Sequence, residues 1–233
     1  VEAGCDVITA NTFGANAHKL DGTATVADVF AAAVACARAA GAHYVTGDIG
    51  PIGALLRPLG TLSFDEAYDL FAEEVRAGVD AGVDLFIIET MTDLAEIKAA
   101  VLACRENSDL PVFATMTFEE DGRTFLGTSP EVAAITLDAI GADVLGINCS
   151  QGPAELRGLA ARMLTVTDKP VMVQANAGLP HVDDDGNTVF DIQAPEYAKA
   201  VAGMIEDGVS VVGGCCGTTP AHMAALRTLI DNH

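Results

Sequence analysis

"SFDEAYDLFAEEVRAGVDAGVDLFIIETM", Ser63 to Met91, contains one whole repeat of the chain's architecture. Residues 63–82 carry apolar side chains at helical spacing, with Ser63 placed to cap the helix and Glu66 to complete a capping box. The "DAGVD" joint then sets Gly82 near the helix C-cap, where a positive φ is needed. "DLFIIETM" follows as a short run that is apolar on both faces. Such a run fits a parallel strand covered by helices better than a half-exposed antiparallel one.

The same sequence of events recurs along the chain. The joints "AIGAD" and "EDGVS" place Gly141 and Gly208 as Gly82 is placed, each ahead of another apolar run. Seven runs are found, at 6–13, 43–50, 84–91, 111–118, 143–150, 170–178 and 209–217, separated by Ala-rich helical stretches. Units spaced about 30–40 residues apart predict an α/β fold, a (β/α)8 TIM barrel lacking its first strand. A doubly wound open sheet would call for a GxGxxG turn after an early strand, and the chain has none. No linker interrupts residues 1–233, so one barrel domain is expected. It opens at Val1 on what reads as the tail of a helix, which makes the domain N-terminally incomplete. The acidic stretch "DDDGN" (183–187) lacks EF-hand spacing and reads as a surface turn.

Composition narrows the function. Half of the 233 residues are apolar and the formal charge is −21, from 33 acidic and 12 basic residues. So acidic a chain repels phosphate backbones and anionic lipid, which argues against nucleic-acid or membrane-surface partners. No run reaches the roughly 18 apolar residues of a membrane helix. With no signal peptide visible either, a cytoplasmic protein with reduced thiols is expected.

In a (β/α)8 barrel the side chains at the C-terminal ends of the strands converge on the active site. The polar residues closing the runs are Asn11 and Thr12, Asp48, Glu89 and Thr90, Thr115 and Thr117, Asn148 and Cys149, Asn176, then Cys215 and Cys216. Cys149 ends the barrel's sixth strand and the Cys215–Cys216 pair its eighth, rims that barrel closure brings near one another. Cys5, Cys36 and Cys104 fall instead near or within helices, as small core residues. Gly213, Gly214 and Gly217 would free the backbone from strict alternation, letting both adjacent thiols swing toward one centre. Three thiolates suit Zn²⁺ with its fourth position open to substrate. Taken alone, the "CC" dipeptide also fits a core feature or a vicinal disulfide. Past "TTP", Thr219 should cap a helix with Pro220 at its first position, making His222 a helix residue rather than a metal ligand.

"GINCS" and "GGCCGTTP", with "TANTFGANAHKL", "GDIGPIG", "IIETMTDLAEIKAA" and "ANAGLP" in order, resemble the homocysteine S-methyltransferase family over essentially the whole chain. Within it, the homocysteine-binding modules of cobalamin-dependent methionine synthases are the most similar. The resemblance implies a (β/α)8 barrel with zinc held by Cys149, Cys215 and Cys216. It further implies that Glu89 binds the amino group of homocysteine and that Asn176 occupies the open zinc position until substrate arrives. Asn11, Thr12, Asp48 and Asn148 would line the pocket or orient ligands. The family's first strand carries an Asp-Gly motif that nothing here matches, which favours a fragment of a longer protein.

The activity so implied is methylation of homocysteine to methionine. Methyl would come from a methylcorrinoid and methyltetrahydrofolate system, with any cobalamin on a separate domain or protein, since no DxHxxG-type loop occurs here. The alternatives are a stand-alone enzyme using S-methylmethionine or betaine, and a non-catalytic zinc or redox-thiol protein.

Overall fold

The computed structural model describes residues 1–149, 151–183 and 185–232. The chain forms two compact units. One comprises residue 1, residues 6–115 and residues 136–143; the other comprises residues 2–5, 116–135 and 144–233.

The first unit holds β1 (Val7–Thr9), α1 (Ala17–Leu20), α2 (Val26–Ala39), β2 (Tyr44–Ile49), α3 (Phe64–Ala81), β3 (Leu85–Met91), α4 (Leu94–Asn107) and nearly all of β4 (Val112–Met116). β1 pairs in parallel with β2, Val7 opposite Tyr44, and β2 with β3, Thr46 opposite Leu85. Helix α3 forms as its sequence dictates. The Ser63–Glu66 capping box is present, and Gly82 closes the helix at φ +80°. Gly78 in its middle is explained by packing. A Cβ there would lie 2.6 Å from the Phe86 ring, which also lies 3.0 Å from the Cβ position of Gly47. Two glycines thus admit one large core ring and let α3 lie close on the sheet.

α5 (Pro130–Ala139) has residues in both units. The second unit continues with β5 (Val144–Asn148), α6 (Pro153–Leu164), β6 (Val171–Ala175), β7 (His181–Val182), β8 (Thr188–Val189), α7 (Ala194–Glu206), β9 (Val211–Gly214) and α8 (Pro220–Asp231). β5, β6 and β9 are parallel neighbours in chain order, with Leu145 opposite Val171 and Met172 opposite Val211. All seven expected runs contain strands, and a helix follows each, after an intervening hairpin in the case of β6. β7 and β8 form a small antiparallel hairpin, Val182 opposite Thr188, that the sequence announces only through its turn. In that turn Asp183 accepts backbone hydrogens from Asp185 and Asn187, while Asp184 lies outside the described residues. No helix among the described residues is long and apolar enough to cross a membrane.

One core residue works against stability. Glu74 of α3 is fully buried, and neither carboxylate oxygen has a hydrogen-bond partner among the described residues. Burial pushes its carboxyl well above the usual range; Lys19 pulls the other way, and the negative charges of Asp48 and Glu73 add to the rise. A carboxyl held neutral in the fold but ionised in the unfolded chain binds more protons when folded. Its contribution is therefore largest below the unfolded value near ~4.3 and is lost as pH rises toward the raised folded value. Glu74→Leu removes the desolvated oxygens and should stabilise the protein by about 1–3 kcal/mol. Thermal melts should show a Tm gain of several degrees at pH 8 and a smaller gain at pH 5; a lower Tm at pH 8 would refute this.

Candidate metal centre

The sulfurs of Cys149, Cys215 and Cys216 all lie within 4.8 Å of one another. Each is placed by a strand end of the second unit. Cys149 follows β5, and its N–H donates to Gln174 O at 2.9 Å, continuing the β5–β6 ladder by one bond. Its φ of +63° is left-handed and turns the chain out of the strand. The Cys215 N–H donates to Ala175 O at 2.8 Å, so this thiol sits just past β9. Cys216 comes next, in a tight turn closed by Thr218 N–H to Cys215 O at 3.1 Å and by the Thr218 hydroxyl to the same oxygen at 2.7 Å.

The turn, rather than freedom within the strand, is what gathers the adjacent thiols. Of the three glycines expected to loosen the backbone, only Gly217 has positive φ, at +78°, the third position of a type II turn. Gly213 and Gly214 belong to β9 and serve by smallness. A Cβ on Gly213 would meet Gln174 Cγ at 3.3 Å, and one on Gly214 would meet Thr218 Oγ1 at 2.4 Å. Strand alternation thus ends before the pair begins.

The donor set suits a metal ion. A tetrahedral site with Zn–S bonds of about 2.3 Å has sulfurs about 3.8 Å apart, and Cys149 Sγ to Cys216 Sγ measures 3.8 Å. All three cysteines are thiols outside any disulfide. Burial, followed by the neighbouring Cys149 sulfur, pushes the Cys216 thiol up from its ordinary value. Clustered thiols resist deprotonation because the resulting charges repel, and a dication removes that penalty.

Around the sulfurs the chain is pinned. The Cys216 N–H donates to Asn176 Oδ1 at 3.1 Å, and the Ala177 N–H donates to Cys216 O at 2.9 Å. Asn176 is thereby tied to the cysteine turn. Asn148 is fully buried; its O accepts from the Thr117 hydroxyl at 3.0 Å, and its Nδ2 lies 4.0 Å from Cys215 Sγ. His222 completes a capping box with Thr219, and Pro220 opens α8 as expected. The Thr219 N–H donates to His222 Nδ1 at 3.2 Å, leaving Nε2 to donate to Ile192 O at 2.9 Å. Both ring nitrogens are engaged, so His222 is a scaffold residue.

Tyr197 on α7 was not singled out by the sequence. Fully buried, its hydroxyl reaches Gly213 O at 2.7 Å and Ala175 O at 3.1 Å, beneath the ends of β9 and β6. A lone tyrosine in an Ala-rich helix, whose hydroxyl must find a partner if buried, was the available signal. Of the remaining cysteines, Cys104 is buried in α4, but Cys36 is exposed on α2 and not the core residue expected.

The polar residues assigned in the first unit are placed at its own strand ends. Thr12 is buried, and its hydroxyl donates to Asp48 O at 2.8 Å and accepts from Asp48 N–H at 2.9 Å, locking the end of β1 to β2. Asn11 is exposed and lines a groove between β1 and α2 with Asp28, Ala33 and Cys36. Asp48 is buried, with Oδ1 lacking a hydrogen-bond partner among the described residues. Burial, then the charge of Glu89, push its carboxyl up to about 8. In the parallel register Asp48 lies opposite Ile87, so Glu89, two residues on in β3, is the next residue on that face by strand alternation.

Comparison with known proteins agrees with this geometry. A family model described as homocysteine S-methyltransferase matches residues 1–230. The chain is 36% identical to a methionine synthase of Mycobacterium tuberculosis over 99% of its own length and 21% of that protein's. It is 37% identical to a methionine synthase of Mycobacterium leprae, over 98% of its length and 20% of that protein's. It therefore spans about a fifth of these curated relatives. Among solved structures, the metallated form of the homocysteine methyltransferase MmuM from Escherichia coli superposes with a TM-score of 0.80 at 22% identity, over 98% of this chain and 81% of that one. That likeness shows the fold, which is of the expected TIM-barrel type.

Proposed function

The chain belongs to the homocysteine S-methyltransferase family, and from that premise we propose that it binds Zn²⁺ through Cys149, Cys215 and Cys216 and catalyses methylation of homocysteine to methionine. The observation that carries this reading is the trio of sulfurs within 4.8 Å, drawn from two strand ends. Held by these three cysteines, Zn²⁺ would supply a Lewis acid that keeps the acceptor's sulfur deprotonated at neutral pH. A free thiol, with a pKa of about 8.5, is mostly protonated there and a poor nucleophile.

The chain's own residues supply the rest. Three cysteine thiolates place more negative charge at the centre than a dication cancels, which keeps an acceptor sulfur electron-rich. That sulfur forms a bond to the methyl carbon as the carbon–donor bond breaks, its electron pair staying with the donor. The thioether produced is neutral and binds weakly. Asn176 holds the Cys216 amide and keeps the turn in place. Glu89 is assigned the substrate ammonium, with Asp48, Thr12, Asn11 and Asn148 lining or supporting the site. Because the relatives are about five times longer than the matched part, we assign the methyl donor to a corrinoid on another domain or protein.

The test is zinc analysis of the full-length polypeptide together with homocysteine methylation assayed with methylcobalamin, S-methylmethionine and betaine. About one zinc per chain and turnover with methylcobalamin are expected. Turnover with either small donor instead would reassign the donor, and none with any donor would overturn the reading. Glu89→Ala should keep zinc and raise the homocysteine KM by tenfold or more, since a hydrogen bond to a charged group contributes about 1.5–3 kcal/mol. An unchanged KM would remove its role.

A further inference from the structure

The buried face of α7 consists of Tyr197, Ala198, Val201, Ala202 and Met204, and it is apolar but for the Tyr197 hydroxyl. Phenylalanine would fill the same space and keep the edge-on contact with His222, where the ring centroids are 5.4 Å apart. A buried hydroxyl costs free energy unless it is bonded, so the reason for this one lies in the bonds it makes.

Both oxygens that it reaches lie at the last rung of the β6–β9 ladder. Gln174 is opposite Gly213 there, and Ala175 is opposite Gly214. The Cys215 N–H donates to Ala175 O at 2.8 Å. The same oxygen is 3.1 Å from the Tyr197 hydroxyl, whose shorter bond, 2.7 Å, runs to Gly213 O. Ala175 O already has a donor, so the tyrosine is not needed to satisfy it. What the hydroxyl adds is a bracket across two strands, just before Asn176 on one and two residues before Cys215 on the other.

The strands do not hold their cysteines equally well. β5, which leads into Cys149, is buried at every residue, whereas β9 is partly exposed at every residue and ends in Gly213 and Gly214. Glycine leaves the backbone its widest freedom and offers no side chain to pack. Within its own unit β9 has a neighbouring strand on one side only, β6, among the described residues. The segment that delivers Cys215 therefore has the least to fix it, and the Tyr197 bracket falls on that segment.

We propose that Tyr197 is a positioning residue of the metal centre: its hydroxyl fixes the end of β9 against β6 and so holds the Cys215 sulfur where it can share an ion with Cys149 and Cys216. The proposal rests on zinc binding by the trio and adds to it a residue that touches neither metal nor substrate. Supports of this kind orient the ligands themselves, and losing one lowers metal affinity by about 10–100-fold.

The test compares Tyr197→Phe with Met204→Ala in the full-length protein. Met204 is fully buried on the same helix, roughly 10 Å further along at 1.5 Å per residue, so its truncation removes packing without touching the rung. Zinc Kd is measured by competition with a chromophoric chelator, and Co²⁺ is loaded in place of zinc to read the sulfur-to-metal charge-transfer band. Tyr197→Phe should raise the zinc Kd about tenfold or more and weaken the band toward that of two thiolates. Met204→Ala should lower the metal-free Tm at least as much, yet keep the wild-type Kd and band. An unchanged Kd and band in Tyr197→Phe would overturn the proposal. So would a loss of affinity in Met204→Ala as large as in Tyr197→Phe, since general loosening of the unit would then account for both. Wild-type protein that takes up neither ion would overturn the zinc reading itself.

Discussion

Serine at Cys149, at Cys215 or at Cys216 will each strip the protein of zinc and take homocysteine methylation below about a thousandth of wild type. The expectation follows from ligand count. Metal binding at thiolate sites is worth about 10–16 kcal/mol in small zinc domains, shared among few bonds. With three protein ligands, removing one leaves two sulfurs, and the described residues offer no further His, Cys, Asp or Glu in the cluster to compensate. Serine is nearly isosteric, so the β5 and β9 ends should keep their ladder bonds, Cys149 N–H to Gln174 O and Cys215 N–H to Ala175 O. Metal-free melts close to the wild-type metal-free melt would verify that the fold survives. Cys36→Ser is the control, since that thiol is exposed on α2 and plays no part in the trio. Stoichiometric zinc retained by any one of the three variants would remove that cysteine from the set.

Most of the fold was legible because it is written in a local code. Apolar runs marked the strands, and Ser63, Glu66 and Gly82 marked both ends of α3 before any coordinates. The cysteines were legible for a related reason: three of them closed apolar runs, and parallel strands deliver their last residues to one end. What stayed hidden depends on packing across the sequence. "FAEEV" contains adjacent glutamates, and only the docking of α3 decides that Glu74 is buried while Glu73 is exposed. Tyr197 is polar support for two strand ends that lie near it only in the folded unit. The left-handed Thr90 and Cys149 were invisible because residue type argues against that conformation, so nothing local announces it. The glycine-rich approach to the cysteine pair was read correctly as special, but its reason was misassigned. Two of its glycines make room for Gln174 and Thr218, and one turns the chain.

That last distinction yields the second large effect. Gly217→Ala should lower zinc affinity at least tenfold and destabilise the protein more than a left-handed alanine alone would. Gly217 has φ +78°, and a Cβ built there would lie 2.2 Å from Phe190 Cγ, with the ring's Cδ atoms at 2.5 and 2.6 Å. No Cβ tolerates such contacts, so the ring or the turn must move. Phe190 follows the hairpin and precedes by two residues Ile192, whose N–H donates to Ala177 O and whose own O accepts from His222, so the backbone that carries the ring is pinned. The turn yields instead, and the Cys216 N–H leaves Asn176 Oδ1. Gly186→Ala separates the two costs. Gly186 has φ +83° with nothing within 4 Å of its Cβ position, so it carries only the roughly 1–2 kcal/mol of an L-residue in the left-handed region. Zinc affinity should be unchanged in Gly186→Ala and weakened in Gly217→Ala, and Phe190→Ala added to the latter should restore much of it. If Gly217→Ala matches Gly186→Ala in both Tm and zinc affinity, the close fit of Phe190 against the turn is not what holds the third sulfur in place.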